Sequence, residues 1–177
     1  MIIILDPAHG MSNRKPGGYD PGACNGKHEE ASIALIWVNE LREILQSKGH
    51  KVARTRAGRN DPAPVSRRAN IAKEYGGEIM LSIHCNAANG KASGSECIHR
   101  GNPVKAAALS KACADALGIK DRGAKVESDS QHGRLAVMAF QPCFLLEVGF
   151  IDNAEDLAAM IDPVKRKAAC EAIAALL

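Results

Sequence analysis

Short apolar runs alternate with amphipathic stretches along this chain. Ile2 to Leu5, Ile79 to Ile83 and Cys143 to Val148 are nearly continuous apolar segments, broken only by Ser82 and Glu147. That is the pattern of strands buried on both faces of a parallel sheet. Between them, Ile33, Ile36, Val38, Leu41, Ile44 and Leu45 recur at helical spacing and stop at Gly49, which predicts a first helix of about four turns. Glu29 and Glu30 fall in its first turn, where the helix dipole favours carboxylates. Val65 to Tyr75, halted by Gly76-Gly77, predicts a second helix, and the alanine-rich stretch Val104 to Leu117, ended by Gly118, a third. Ala154 to Leu177 gives one or two closing helices, interrupted near Asp162-Pro163. Lys51 to Arg56 and Gly94 to Arg100 read as further strands, and Leu135 to Ala139 as a short one. Gly10 to Gly26, Ala57 to Pro64 and Lys120 to Gly133 lack periodicity and read as loops, the last of them polar and mobile. Strands alternating with helices predict an α/β fold, in which one domain over residues 1–177 holds a mainly parallel twisted sheet of about six strands, covered by helices on both faces.

Composition narrows the function classes. The 177 residues suit one domain, and 46% hydrophobic residues supply a sizeable core. A net charge of +3 without any block of Lys or Arg gives no case for nucleic acid, although it is compatible with an anionic polymer. Six scattered cysteines form no CxxC pair, which excludes a Cys-rich zinc knuckle and a thioredoxin motif and suits a reducing compartment. Met1-Ile2-Ile3-Ile4-Leu5-Asp6 has no basic region or cleavage site, and no run is long enough to span a bilayer. The expectation is synthesis in the cytoplasm without a signal peptide and without stable membrane insertion.

The chemistry lies at the strand ends. In open α/β sheets ligand sites form beyond the carboxyl ends of strands, and His9, His84 and Glu147 each stand where a strand leaves the sheet. A lone histidine there has a second reading, a ring held by loop hydrogen bonds. Glu30, at the start of the first helix, adds a further carboxylate. Two imidazoles and one carboxylate are a common ligand set for catalytic zinc, and another carboxylate is what metal-assisted hydrolysis needs as general base. A glutamate in so apolar a strand as Phe144 to Phe150 is costly without a partner or a task.

These residues lie in recognisable motifs. Asp6-Pro7-Ala8-His9-Gly10, Asp20-Pro21-Gly22-Ala23, Glu30, Thr55-Arg56, Arg68, Ser82-Ile83-His84-Cys85-Asn86 and Leu146-Glu147-Val148-Gly149-Phe150-Ile151-Asp152-Asn153 occur in an order that resembles the zinc-dependent N-acetylmuramoyl-L-alanine amidases of bacteria and phages, the amidase 3 family. The resemblance covers nearly the whole chain. It implies that His9, Glu30 and His84 bind one zinc ion, that Glu147 is the catalytic carboxylate, and that the substrate is peptidoglycan, cut between the lactyl group of N-acetylmuramic acid and L-alanine. Gly49 resembles the glycine that ends the family's first helix, and counting back from it lands on Glu30 rather than Glu29, with His28 and Glu29 as weaker candidates. Ala8 and Met11 stand where the family usually has glycine.

Other residues have structural readings first: Arg56 and Arg68 as partners of scaffold carboxylates, Asn86 as a loop cap or ligand-orienting group, and His50 and His99 as surface or satisfied rings. Cys85 points away from the face of His84. His132 and Arg134 are candidates for stem-peptide contact. Met1 without a leader, and too little chain between His84 and Glu147 for the long helix that occludes the site in some family members, resemble a monomeric phage or prophage endolysin that reaches the cell wall after release. A host enzyme whose leader is removed has the same features. A zinc peptidase or deacetylase acting on another amide and a non-catalytic wall-binding module are the competing functions.

Overall fold

In the computed structural model, which describes residues 1–130 and 133–177, the apolar runs do become the centre of a sheet. Its strands are β1 (Ile2–Pro7), β2 (Lys51–Arg54), β3 (Ile79–Asn86), β4 (Ser95–His99), β5 (Asp121–Val126) and β6 (Cys143–Phe150). Their spatial order is β2-β1-β3-β6-β4-β5. All neighbouring pairs are parallel except β6 with β4. The central strands β1, β3 and β6 are covered on both faces, which is why their sequences are apolar without alternation.

The two faces are covered unequally. On one side Leu5, Leu81, Ile83 and Leu146 pack against α1 (Glu30–Ser47), α3 (Pro103–Leu117), α4 (Ala154–Ile161) and α5 (Pro163–Ala174). On the other, among the described residues, Ile4, Met80, Ile98 and Leu145 meet α2 (Arg68–Glu74) and a 3-10 turn, Ala136–Ala139, with its flanking Leu135 and Phe140. This thinner cover leaves the carboxyl ends of the strands open on that face. Because side chains alternate along a strand, His84, Glu147 and Glu96 project from that same thin face. The register sets them side by side, His84 opposite Glu147 and Glu147 opposite Glu96.

The helix boundaries follow local chemistry. Asn102 caps α3 and Pro103 opens it, while Gly118 closes it at φ 70°. Asp162 accepts hydrogen bonds from the backbone N–H groups of Val164 and Lys165, so the Asp162-Pro163 break is the boundary between α4 and α5. Trp37, fully buried on α1, donates its indole N–H to the Met160 carbonyl at 3.1 Å and ties α1 to α4. Trp37→Phe removes that donor and leaves a buried carbonyl unpaired, with an expected loss of about 1–2 kcal/mol in a denaturant titration. No described helix is long and apolar enough to cross a membrane.

Four sequence expectations need correction. Lys120 to Gly133 is not simply a loop: Asp121–Val126 forms edge strand β5, and Glu127–Asp129 a 3-10 turn. Leu135 to Ala139 is no strand, since its apolar residues close a 3-10 turn over the thin face. The second strand stops at Arg54, which leaves Thr55 and Arg56 just beyond it. The Val65 to Tyr75 helix begins as a 3-10 turn, Val65–Arg67.

Candidate metal centre

The loop after β1 carries the first histidine. His9 has φ 55° and Gly10 φ 98°, the left-handed region that glycine tolerates and other residues occupy under constraint. Ala8 is outside that region, so alanine meets no backbone strain there. Two buried arginines supply the constraint. Arg56 donates to the carbonyls of Pro7, Ala8 and Ala31, and Arg68 to those of Pro7, His9 and Ala63. Both are therefore scaffold residues, but only Arg68 pairs with a carboxylate, Asp6 at 2.5 Å; among the described residues Arg56, expected to do the same, bonds backbone carbonyls alone. Burial, then the adjacent Arg68 charge, lower Arg56 to about 10.

Glu30, the first residue of α1, sits between the two imidazoles. One of its oxygens lies 3.0 Å from His9 Nε2 and accepts the Ala23 N–H at 3.0 Å. The other lies 2.9 Å from His84 Nδ1 and accepts the Cys85 N–H at 3.1 Å. Although burial opposes its charge, the two histidines hold its carboxyl well below the usual carboxylate range. Ligand atoms from His9, Glu30 and His84 lie within 4.8 Å of one another. Two nitrogens and a carboxylate oxygen at such spacing fit a divalent cation.

The second ring nitrogen of His9 is also placed. Its Nδ1 lies 3.0 Å from Asp20 Oδ2, which accepts from Asn13 Nδ2 at 2.7 Å, while Oδ1 accepts the Gly22 N–H at 2.9 Å. Asp20 thereby fixes the ring and leaves Nε2 facing Glu30, the arrangement that orients a metal-binding histidine. Burial raises the Asp20 carboxyl but the His9, Asn13 and Gly22 hydrogen bonds outweigh it, leaving about 2. Burial works against a charged His9, yet Glu30 and Asp20 raise it overall. Gly22 has to be small, because a Cβ there would lie 2.5 Å from Glu30 Oε2 and 2.6 Å from His9 Cδ2.

Glu147 stands beside this cluster without joining it. Its Oε2 is buried and has no hydrogen-bond partner. Burial, then the neighbouring Glu30 and Glu96 carboxylates, push its pKa well above the usual range. A groove of about 830 Å³ runs from His9, Glu30 and His84 past Glu147 to β5 and Leu135.

The other candidates separate. Glu29 points away from the cluster and accepts from Tyr19, Ser32 and Arg59. His28 borders a different groove, beside Ile36 and Trp37. Asn86 lines the main groove, donates to Glu96 at 3.1 Å and caps its own loop through the Ala87 N–H. Arg134 lines the groove, whereas His132 lies outside the described residues. His99 accepts the Gly101 N–H, and the Cys85 thiol is buried on the opposite face. Asp20, Asn13 and Glu96 carried no individual signal in the sequence; the Asp-Pro-Gly-Ala turn in the glycine-rich loop was the only pointer to the first of them.

A family model described as N-acetylmuramoyl-L-alanine amidase, of the amidase 3 group, matches residues 3–177. The chain belongs to this family. A cell wall amidase of Bacillus anthracis is 30% identical over 191 residues, covering 97% of this chain and 34% of that protein. The germination-specific N-acetylmuramoyl-L-alanine amidase of Bacillus subtilis is 28% identical, over 92% of this chain and 72% of its own length. Thus the chain spans only about a third of the first relative and nearly three quarters of the second. The catalytic domain of the amidase CwlV from Bacillus (Paenibacillus) polymyxa superposes with a TM-score of 0.83 at 24% identity, covering 98% of this chain and 93% of that one. The six-stranded, mainly parallel sheet with helices on both faces is thus the fold of an amidase catalytic domain.

Proposed function

We propose that residues 1–177 form the catalytic domain of a zinc-dependent amidase that hydrolyses the bond between the lactyl group of N-acetylmuramic acid and L-alanine in peptidoglycan. The observation that carries this reading is the convergence of His9, Glu30 and His84 within 4.8 Å, beside the unpartnered carboxyl oxygen of Glu147 on one groove. His9 Nε2, Glu30 and His84 Nδ1 would hold zinc, one ion per chain. When bound, zinc supplies a Lewis acid that polarises the scissile carbonyl and lowers the pKa of water to about 7.

The chain's own groups do the rest. Glu147 Oε2 takes a proton from the attacking water, whose oxygen bonds to the carbonyl carbon. As the C–N bond breaks, the same oxygen returns the proton to the nitrogen of L-alanine, which leaves as a free amine. A carboxyl whose pKa is raised by burial is suited to both transfers. Asp20, through His9 Nδ1, keeps Nε2 directed at the metal position. Asp20→Asn is expected to weaken zinc binding by about 10–100-fold in a competition titration against a chelator, with the fold retained.

Zinc content measured together with product analysis on purified peptidoglycan tests the reading. One zinc per chain and newly released L-alanine amino termini are expected. Zinc without that product would move the search to another amide, as for a peptidase or deacetylase; binding to the wall without any product would indicate a non-catalytic module. Cell-wall lysis as a monomer, in the manner of a phage or prophage endolysin made in the cytoplasm and acting after release, is the biological setting this reading favours.

A further inference from the structure

We propose that the β5 end of the groove is a carboxylate subsite, in which Lys125 with Arg122 beside it holds an acidic group of the peptide that follows the scissile amide. This rests on the amidase reading given above.

The first support is a register shift in an edge strand. Ser95 pairs with Asp121, but Cys97 pairs with Ala124, so β5 spends one residue more than β4 between the two pairs. Gly123, at φ 75°, takes up the extra residue. In a regular strand, residues three apart face opposite sides of the sheet. The bulge resets the alternation, and both Arg122 and Lys125 line the groove. Without it, only one of the two cations would face the site.

The second support is charge. Beyond the metal cluster, Glu147 and the buried Arg68 and Asp6 pair, the described lining of the groove carries Arg14, which pairs with Asp20 at 3.5 Å, and Arg122, Lys125 and Arg134 against Glu96 and Asp129. Arg122 Nε donates to Glu96 Oε2 at 2.6 Å, and its guanidinium lies 5.1 Å from the centre of the Phe150 ring. That holds the group in place while leaving its Nη atoms without a hydrogen-bond partner among the described residues. Glu127, which follows β5, is taken by Arg100 at 2.6 Å. Among the described residues no carboxylate pairs with the Lys125 amine, so a half-buried cation faces the groove with its charge available.

The third is reach. Lys125 on β5 is level with Ile98 on β4 and Leu145 on β6, so it stands two strand spacings across and two residues along from Glu147, about 12 Å between backbones. An extended peptide covers about 3.3–3.6 Å per residue. The group held is therefore a carboxylate on the second or third residue of the stem peptide, counted from the L-alanine released.

The test uses zinc-loaded protein and two muropeptides that differ only in whether those stem carboxylates are free acids or carboxamides. The free acid is expected to have a kcat/KM about tenfold or more higher, mostly through KM, with the ratio shrinking as ionic strength rises. Lys125→Met should bring the ratio below about threefold by raising KM for the acid, and Lys125→Arg should restore most of it. Equal cleavage of both substrates by the wild type, or a ratio unchanged in Lys125→Met, overturns the subsite and leaves the amidase reading standing. Failure to release an L-alanine amino terminus from either substrate overturns that reading and the subsite together.

Discussion

On the proposed zinc amidase reading, Glu147→Gln is expected to bind zinc as the wild type does and to keep its fold while losing at least about 10²-fold in turnover, the lower end of what a positioned general base contributes. The substitution is nearly isosteric and changes one property, the capacity to accept a proton. Glu147 is no member of the His9, Glu30 and His84 cluster, so metal content should stay at one per chain. Its charge is also unwelcome where it sits, since burial and then Glu30 and Glu96 all favour the neutral form. In the metal-free proteins the melting temperature of the variant should therefore equal or exceed that of the wild type. Assay of L-alanine amino termini, with zinc measured on the same samples, separates a lost base from a lost metal. Turnover within tenfold of wild type would show that another group takes the proton.

That prediction was within reach of the sequence, and the reason is physical. Strands β1, β3 and β6 are buried on both faces, so they stand out as continuous apolar runs, and the residues ending them stand out against that background. His9, His84 and Glu147 are legible for this reason. Glu30 was legible only through the resemblance, by counting back from Gly49; Glu29 lies not in the first turn of α1 but in extended backbone just before it, and it turns to Tyr19, Ser32 and Arg59 while Glu30 meets the two histidines. Edge strand β5 was not legible. One of its sides faces a polar groove, its other edge pairs with no strand among the described residues, and the bulge at Gly123 breaks the alternation that pattern reading depends on. Asp20 stood in a recognisable motif but its role was not legible, since it acts through the far nitrogen of His9 from within a loop that has no period.

The unequal cover of the sheet links these observations. Four helices fill one face, and their packing needs no polar residue at the strand ends. Over the other face α2 and one short turn stop short of the carboxyl ends, and the polar side chains His84, Glu147 and Glu96 occupy the row that is left open. The site is thus where the fold leaves backbone-supported side chains without an apolar partner.

Arg68→Met should be the most destabilising of the substitutions considered, costing about 3–5 kcal/mol and about 10–15 °C in melting temperature for a domain of this size. The Arg68 guanidinium pairs with Asp6 and also donates to Asn13 and to the carbonyls of Pro7, His9 and Ala63, all in a site closed to solvent. Lysine, a single point charge, cannot reach this set, so Arg68→Lys should recover only a minor part. The loss is not the strength of one ion pair. It comes from leaving Asp6 as an unpaired charge in the core. In the wild type, burial raises the Asp6 carboxyl but Arg68, Ser82 and Thr55 more than offset it, and its pKa lies below the ordinary 3.8. Stability from this group is thus present above about pH 4 and is lost as the pH falls through the folded-state value. Without Arg68, burial dominates and the pKa moves above the ordinary value, so the carboxyl destabilises increasingly as the pH rises through it. The gap between variant and wild type should accordingly be widest near neutrality and shrink on acidification. The Asp6→Asn, Arg68→Met double variant should lie above the sum of the single losses, with a coupling that a four-corner denaturation cycle at two pH values measures. A gap that does not change with pH would mean that the lost carbonyl bonds to the His9 loop, and not the stranded Asp6 charge, set the penalty.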